Sequence, residues 1–250
     1  MIPLRTPGEI DAIAASGAVL ARLFDALGGQ VKPGISTAEL DAFAEEFIRS
    51  HDGAEPSFKG LYGFPATLCT SINEEVVHGI PSRKRVLRDG DIISVDAGVR
   101  LDGWYSDAAV TWPVGETDTD SARLLEVTRQ ALAAGIAAAR PSNRIGDVGA
   151  AIQNLAEAEG MSVVRELVGH GVGRAPHEAP QVPNFGRKGT GLPLRPGLVI
   201  AIEPMVNQGT AAIRTLADRW TVVTMDRRRS AHFEHTVAVT AGGPRILTAT

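Results

Sequence analysis

The stretch SVDAGVRLDGWYSDAAV, residues 94–110, sets two aspartates, Asp96 and Asp107, inside runs of strand-forming residues. Aspartate is depleted from strands and costly to bury without a partner. At the middle of the stretch stands Asp102-Gly103, a pair that favours a hairpin turn, so strands are predicted over 92–99 and 104–112. With Asp102-Gly103 as a two-residue loop, Asp107 lies opposite Gly98, one diagonal step from Asp96. With a four-residue loop, 100–103, Asp107 lies directly opposite Asp96. Either register puts both carboxylates on one face, roughly 5–8 Å apart at their β-carbons. The bland reading leaves one or both on the solvated face of an edge hairpin. The sharper reading buries them, and there they repel unless a proton or a cation lies between them.

A cation needs further ligands, and the second half of the chain offers them. LVGHGVGRAPHEAP carries His170 and His177 among glycines, where backbone and ligand can approach closely. The apolar run LVIAIEPMV, 198–206, is interrupted by Glu203, and HFEHTVAVT, 232–240, by Glu234. Taken singly, a histidine near glycine is a loop hydrogen-bonder and a lone glutamate marks a strand edge. Taken together, four carboxylates and an imidazole interrupt strands that otherwise favour burial. Such an oxygen-rich set with one histidine suits a pair of divalent first-row metals better than a structural zinc site.

The rest of the chain supplies the frame. Residues 9–27 carry apolar side chains at helical spacing and end at Gly28-Gly29. Ser36 and Glu39 form a capping box that opens a helix to about His51. Lys32-Pro33 and Glu39-Leu40 find a faint echo 108 residues later in Arg140-Pro141 and Asp147-Val148, and each helical set closes near a glycine, Gly53 or Gly160. The expected organisation is therefore one body, residues 1–250, of two helix-pair-plus-strands halves, about 1–115 and 116–250. A cleft between such halves is a natural place for a site.

Composition narrows the setting. The chain is 44% hydrophobic and 22% charged, as in a soluble protein with a sizeable core. A formal net charge of −4 argues against a general nucleic-acid coat, so DNA is not an expected partner. The single cysteine, Cys69, excludes an intrachain disulfide and a cysteine-cluster metal site. No apolar leader segment opens the sequence and no run of 18 apolar residues follows, so the expectation is a cytoplasmic protein that does not enter the membrane. RKRVLR, 83–88, and RRR, 227–229, are basic clusters of the kind that usually form solvated faces.

The ordered set Asp96, Asp107, His170, Glu203, Glu234 resembles the dinuclear site of the type I methionine aminopeptidases in their short bacterial form. So do SINEEVVHGIP around His78, DAGVRLDGWYSDAAVT, GHGVGR, AIEPM and EHTVAVT, and the resemblance runs from about residue 3 to the C-terminus. It implies the α+β pita-bread fold, with two pseudo-symmetric halves around two divalent metal ions, cobalt, manganese, iron or zinc. By the same resemblance Asp96 binds one metal, Asp107 and Glu234 bridge both, and His170 and Glu203 complete the other. Two metals sharing a water lower its pKa enough to give hydroxide near neutrality, with Glu203 as ligand and general base. His78 and His177 are the implied hydrogen-bond partners of the scissile amide and the developing oxyanion. The implied reaction removes the N-terminal methionine of nascent polypeptides when the second residue is small.

The implied methionine pocket contains Phe64, Cys69 and Trp220. Three positions depart from the commoner family pattern: Leu61 where tyrosine is usual, Tyr62 where histidine is usual, and Pro176 where many members have an aromatic residue. They touch substrate fit and leave the reaction class intact. The resemblance also implies a monomer, transient ribosome contact through the basic clusters, and an auxiliary monovalent-cation site at Asn73 and Ser230. Rival readings are a proline-specific peptidase of the same fold and a non-catalytic binding protein built on it. The first usually carries a substantial preceding domain, and the second typically loses metal ligands, all five of which are present here.

Overall fold

The computed structural model describes residues 2–249. Helix α1 (Pro7–Gly28) starts two residues before the expected position because Thr6 caps it. The Thr6 hydroxyl accepts the Glu9 N–H at 3.3 Å, and the Glu9 carboxylate accepts the Thr6 N–H at 2.8 Å. Helix α2 (Thr37–Arg49) opens on the reciprocal Ser36–Glu39 box read from the sequence. Helices α3 (Thr119–Ala138) and α4 (Ile145–Ala158) form the second pair. Among the described residues no helix is long and apolar enough to cross a membrane.

The helices cover a nine-stranded sheet. Its path runs through Ala54–Pro56, Ile92–Leu101, Trp104–Pro113, Glu234–Thr240, Val199–Ile202, Gly169–Gly171 and Glu178–Val182. Leu68–Ile72 also pairs with Ile92–Leu101, and Gly243–Ile246 with Glu234–Thr240. Strands of the two chain halves meet where Trp104–Pro113 pairs with Glu234–Thr240. Helices α1 and α2 bury Val19, Leu23, Leu40 and Ala44 with Ile93, Val95, Ala97 and Val99 of the sheet. Helices α3 and α4 bury Leu124, Leu132 and Ile152 with Ile200, Ile202, Val237 and Val239. Each helix pair thus seals one half of the sheet with apolar surface, the main favourable term in folding.

The hairpin adopts the two-residue register of the two left open by the sequence. Leu101 pairs with Trp104 and Gly98 with Asp107. Asp102 and Gly103 both have positive φ, 50° and 78°, as a turn matched to strand twist requires. Side chains alternate across the strand, so Ile93, Val95, Ala97 and Val99 meet the helices while Asp96 takes the other face. That face is not solvated: Asp96 and Asp107 are 9% and 3% exposed, which removes the edge-hairpin alternative.

The glutamate-bearing runs differ from expectation. Each was expected to be one strand, and each breaks into two that lie in different sheets. Val199–Ile202 belongs to the large sheet, whereas Met205–Asn207 pairs with Ser230–His232 in a separate three-stranded one. Pro204 has no N–H for a ladder, and its carbonyl instead accepts the Phe233 N–H at 3.4 Å. Both segments therefore change sheets side by side, at Glu203-Pro204 and Phe233-Glu234.

Candidate metal centre

The inner face of the sheet explains how the acids gather. Ala109 is the cross-strand partner of Asp96 on one side and of Glu234 on the other, so a row Asp96–Ala109–Glu234 crosses three strands with a methyl at its middle. Asp107 lies one step along, opposite Gly98. A β-carbon at Gly98 would stand 2.0 Å from Ser57 Oγ, so glycine is required for this close approach. The Thr236 hydroxyl fixes the seam, accepting the Asp107 N–H at 3.0 Å and donating to the Asp107 carbonyl at 2.8 Å. Glu203 enters from the sheet change, where Asn184 Nδ2 donates to its carbonyl at 3.0 Å.

His170, in the strand Gly169–Gly171, faces this group from across the cleft. Its Nε2 lies 3.5 Å from Glu203 Oε1 and 3.8 Å from Asp107 Oδ2. Its Nδ1 stands 2.9 Å from the Gly171 carbonyl, an acceptor only, so this nitrogen carries the hydrogen when the ring is neutral. Burial, with help from His177, pushes the imidazole down to about 4, so it is neutral near pH 7. The Nε2 lone pair then points at carboxylate oxygens, an arrangement that calls for a cation between them.

The carboxylates tell the same story. Burial pushes Asp96 up to about 7. Burial, then the charges of Glu234 and Asp96, pushes Asp107 well above the usual range. Glu203 is raised by burial and by the charges of Asp96 and Asp107, and Glu234 by burial and by the charges of Glu203 and Asp96. Asp96 Oδ1, Asp107 Oδ1 and Glu234 Oε1 are buried without a hydrogen-bond partner. Ligand atoms of Asp96, Asp107 and Glu234 lie within 4.8 Å of one another, as do those of His170, Glu203 and Glu234. Glu234 belongs to both groups, and Asp107 also gathers with His170 and His177. These residues fit divalent cations: the orphaned oxygens and the free imidazole nitrogen are the ligand types that first-row metals take.

A pH dependence follows for the chelated protein. A carboxyl held above its unfolded value of about 3.9–4.3 makes the folded form bind more protons, so its stabilising contribution is lost as pH rises through the folded pKa. The histidines act oppositely. His170 near 4, His232 near 3, and the lowered His78 and His177 leave the unfolded form with more protons, but only below its value of about 6.5. Above that value the histidine contribution fades as the unfolded imidazoles lose their protons, and the carboxylates set the trend. The melting temperature in chelator should therefore fall between pH 7 and pH 8, and saturating divalent cation should reduce the fall. Thermal unfolding with and without cation measures this, and a flat chelated profile would contradict it.

One residue was missed in the sequence. His232 is 1% exposed, with both ring nitrogens lacking a hydrogen-bond partner. Its Nε2 lies 3.7 Å from Glu203 Oε2 and 3.9 Å from Glu234 Oε2. Thr111 holds its backbone, accepting the His232 N–H at 2.9 Å. The signal was available: His232 stands two residues before Glu234, the spacing that puts strand residues on one face.

Beside the acids lies a cavity of about 440 Å³ whose other wall is apolar. Leu61, Phe64, Cys69 and Trp220 of the expected pocket all line it. Phe64 and Trp220 pack edge to face with centroids 5.1 Å apart, and Trp220 meets His78 at 6.4 Å. His78 has a left-handed backbone, φ 60°, that turns its ring into the cavity after the strand Glu75–Val77. A non-glycine residue held there is an observed outlier of the kind that gathers at functional sites. Tyr62, 75% exposed, stacks on His177 at 5.9 Å, and His177 meets His170 edge-on at 4.4 Å. Burial lowers the pKa of His78 and His177, so both are neutral hydrogen-bond donors near pH 7. Burial and the charges of Asp96 and Asp107 raise the Cys69 thiol, which suits a wall and not a nucleophile. Pro176 is half-buried beside His177 and is not among the residues that line the cavity.

The remaining candidates are largely engaged elsewhere. Asn73 Nδ2 donates to Asp91 at 2.8 Å, its Oδ1 accepts the Ile92 N–H, and its carbonyl accepts the Ser230 N–H at 2.9 Å. Arg85 pairs with Glu75, and Arg229 with Asp118 at 2.9 Å and with the Gly90 carbonyl at 2.8 Å. Exposed basic side chains in the two clusters are therefore Arg83, Lys84, Arg88, Arg227 and Arg228.

Known proteins share this arrangement. The model of metallopeptidase family M24 matches residues 11–241. A methionine aminopeptidase of Clostridium perfringens is 52% identical over 99% of both chains. The crystal structure of a methionine aminopeptidase from Thermotoga maritima superposes with a TM-score of 0.98 at 43% identity, covering 100% of both. An Xaa-Pro dipeptidase from Bacillus anthracis has the same fold at 21% identity, TM-score 0.78, but this chain spans only 62% of it. The sheet and its flanking helix pairs form the pita-bread fold, and the chain belongs to metallopeptidase family M24.

Proposed function

We propose that this protein hydrolyses the first peptide bond of nascent polypeptides that begin with methionine, with a small second residue favoured, using two divalent cations. The observation that carries the reading is an apolar recess of Phe64, Cys69 and Trp220 opening directly onto a cluster of buried acids and a neutral imidazole. An unbranched thioether side chain suits such a recess, and aromatic rings favour its sulfur. Asp96 would hold one cation, Asp107 and Glu234 both, and His170 and Glu203 the other. When bound, the cations would acidify a water molecule and polarise the scissile carbonyl. Cobalt, manganese, iron and zinc all accept these ligands.

The chain's own groups divide the remaining work. Glu203 takes the proton from the attacking water, as the carboxylate that borders the cavity next to His170. His78 donates to the scissile amide and His177 to the oxygen on which charge develops. Both are neutral and line the cavity, so each can donate without adding a cation to the site.

Trp220→Ala should raise KM for a Met-Ala-Ser peptide roughly 2–10-fold, from about 0.5–1.5 kcal/mol of lost aromatic contact, with kcat little changed. Steady-state kinetics on both proteins decides this, and an unchanged KM would take Trp220 out of the pocket. The reading as a whole is tested by product analysis. Met-Ala-Ser should yield free methionine, and Ala-Pro-Ser should show no preferential cleavage of its Ala-Pro bond. Ribosomal RNA would have the five exposed basic side chains for contact. Salt-dependent ribosome binding, lost when Arg227 and Arg228 become glutamine, tests that part.

A further inference from the structure

The loop that carries His177 is closed by the residue that follows it. Glu178 Oε1 accepts the N–H groups of Arg174 at 2.7 Å and Ala175 at 3.0 Å, so one carboxylate oxygen ties the loop end to its start. The other oxygen, Oε2, is ion-paired with Arg5, which lies in the segment before α1. Both side chains are mostly buried, at 11% and 15% exposure. Such a pair holds geometry more firmly than a surface pair, because water competes with it less.

Arg5 is itself fixed on several sides. A β-carbon at Gly173 would lie 2.1 Å from its Nη2, so the guanidinium lies flat against the base of the loop. Its Cζ stands 5.4 Å from the Trp104 ring, an attractive placement for a cation. The Arg5 N–H donates to the Gly197 carbonyl at 2.6 Å. Trp104 opens the strand that carries Asp107, and the next residue, Tyr105, donates its N–H to the Gly173 carbonyl at 2.9 Å. The guanidinium therefore sits where the acid-bearing hairpin and the His177 loop meet.

We propose that Arg5 and Glu178 are positioning residues for His177, a clamp that sets the imidazole at a fixed height above the acids. The inference rests on the role given to His177 above. A ring that must meet a developing charge loses much of its effect when displaced by about an ångström. The clamp should thus be felt in turnover and not in substrate capture.

The test uses the full-length, metal-loaded protein. Arg5→Gln and Glu178→Gln should each lower kcat on Met-Ala-Ser about 10-fold, with KM and bound metal nearly unchanged. Arg5→Lys, which keeps a cation, should restore part of the loss, and it serves if Arg5→Gln folds poorly. Arg245→Gln, which breaks an exposed ion pair with Asp11 at the other end of the chain, should leave kcat as it was. In a His177→Ala background, Arg5→Gln should have less than about a twofold further effect, since the group it positions is gone. An equal loss with and without His177 would overturn the clamp. The two-dimensional NMR signals of the His177 ring give a readout independent of activity: Arg5→Gln should shift or broaden them, and unchanged signals would overturn the clamp. Were the unaltered protein unable to cleave Met-Ala-Ser, the peptidase reading would fail, and the ring signals alone would decide the clamp.

Discussion

Asp107→Asn should lower cleavage of Met-Ala-Ser by more than about 10²-fold, the upper end of what loss of an outer-shell partner of a metal ligand costs. The reason lies in its position. Asp107 gathers with Asp96 and Glu234 on one side and with His170 on the other, so one substitution weakens both cation positions. Asparagine has the same shape but no charge, and its amide hydrogens repel a cation. Its effect on the chelated protein should run the other way. Asp107 is 3% exposed and pushed up by the charges of Glu234 and Asp96, so removing its charge relieves repulsion. The chelated variant should be at least as stable as the chelated parent, although it is inactive. Elemental analysis, kinetics and thermal unfolding on one preparation check all three outcomes.

Glu203→Gln should separate base from ligand. Glutamine can keep a carbonyl oxygen toward a cation but cannot take a proton from water. The loss should fall on kcat, on the order of 10²-fold or more, with KM and much of the bound metal retained. A rise in KM alone would show that Glu203 binds substrate instead. His177→Ala should resemble it in lowering kcat, because the hydrogen bond it removes is strongest in the transition state.

Much of this site was legible in the sequence because it is built from local patterns. The turn Asp102-Gly103 leaves two hairpin registers open, and in either of them strand alternation places Asp96 and Asp107 on one face, as the structure shows. The reciprocal box at Ser36 and Glu39 gives the start of α2. What was not legible depends on long-range placement. Runs 198–206 and 232–240 read as continuous strands by hydrophobicity, and nothing local says that both change sheets together at Pro204 and Phe233. His232 was passed over because HFEH offers two histidines. One ring sits beneath the acids, while the other, His235, bonds Thr248 at 2.9 Å. Arg5 and Glu178 are 173 residues apart, and no periodicity connects them. Pro176 is placed at the pocket only by resemblance, at a position where many family members have an aromatic residue, and the cavity is lined by His177 and Glu178 without it.

Cations are the reason proposed for burying Asp96, Asp107 and Glu234 beside the partly buried Glu203. The most direct measurement is turnover of Met-Ala-Ser by chelated protein whose metal content has been verified, followed as divalent cation is returned. Without cation there should be no detectable turnover, and activity should rise in step with bound metal. Full turnover in the verified metal-free sample would contradict it.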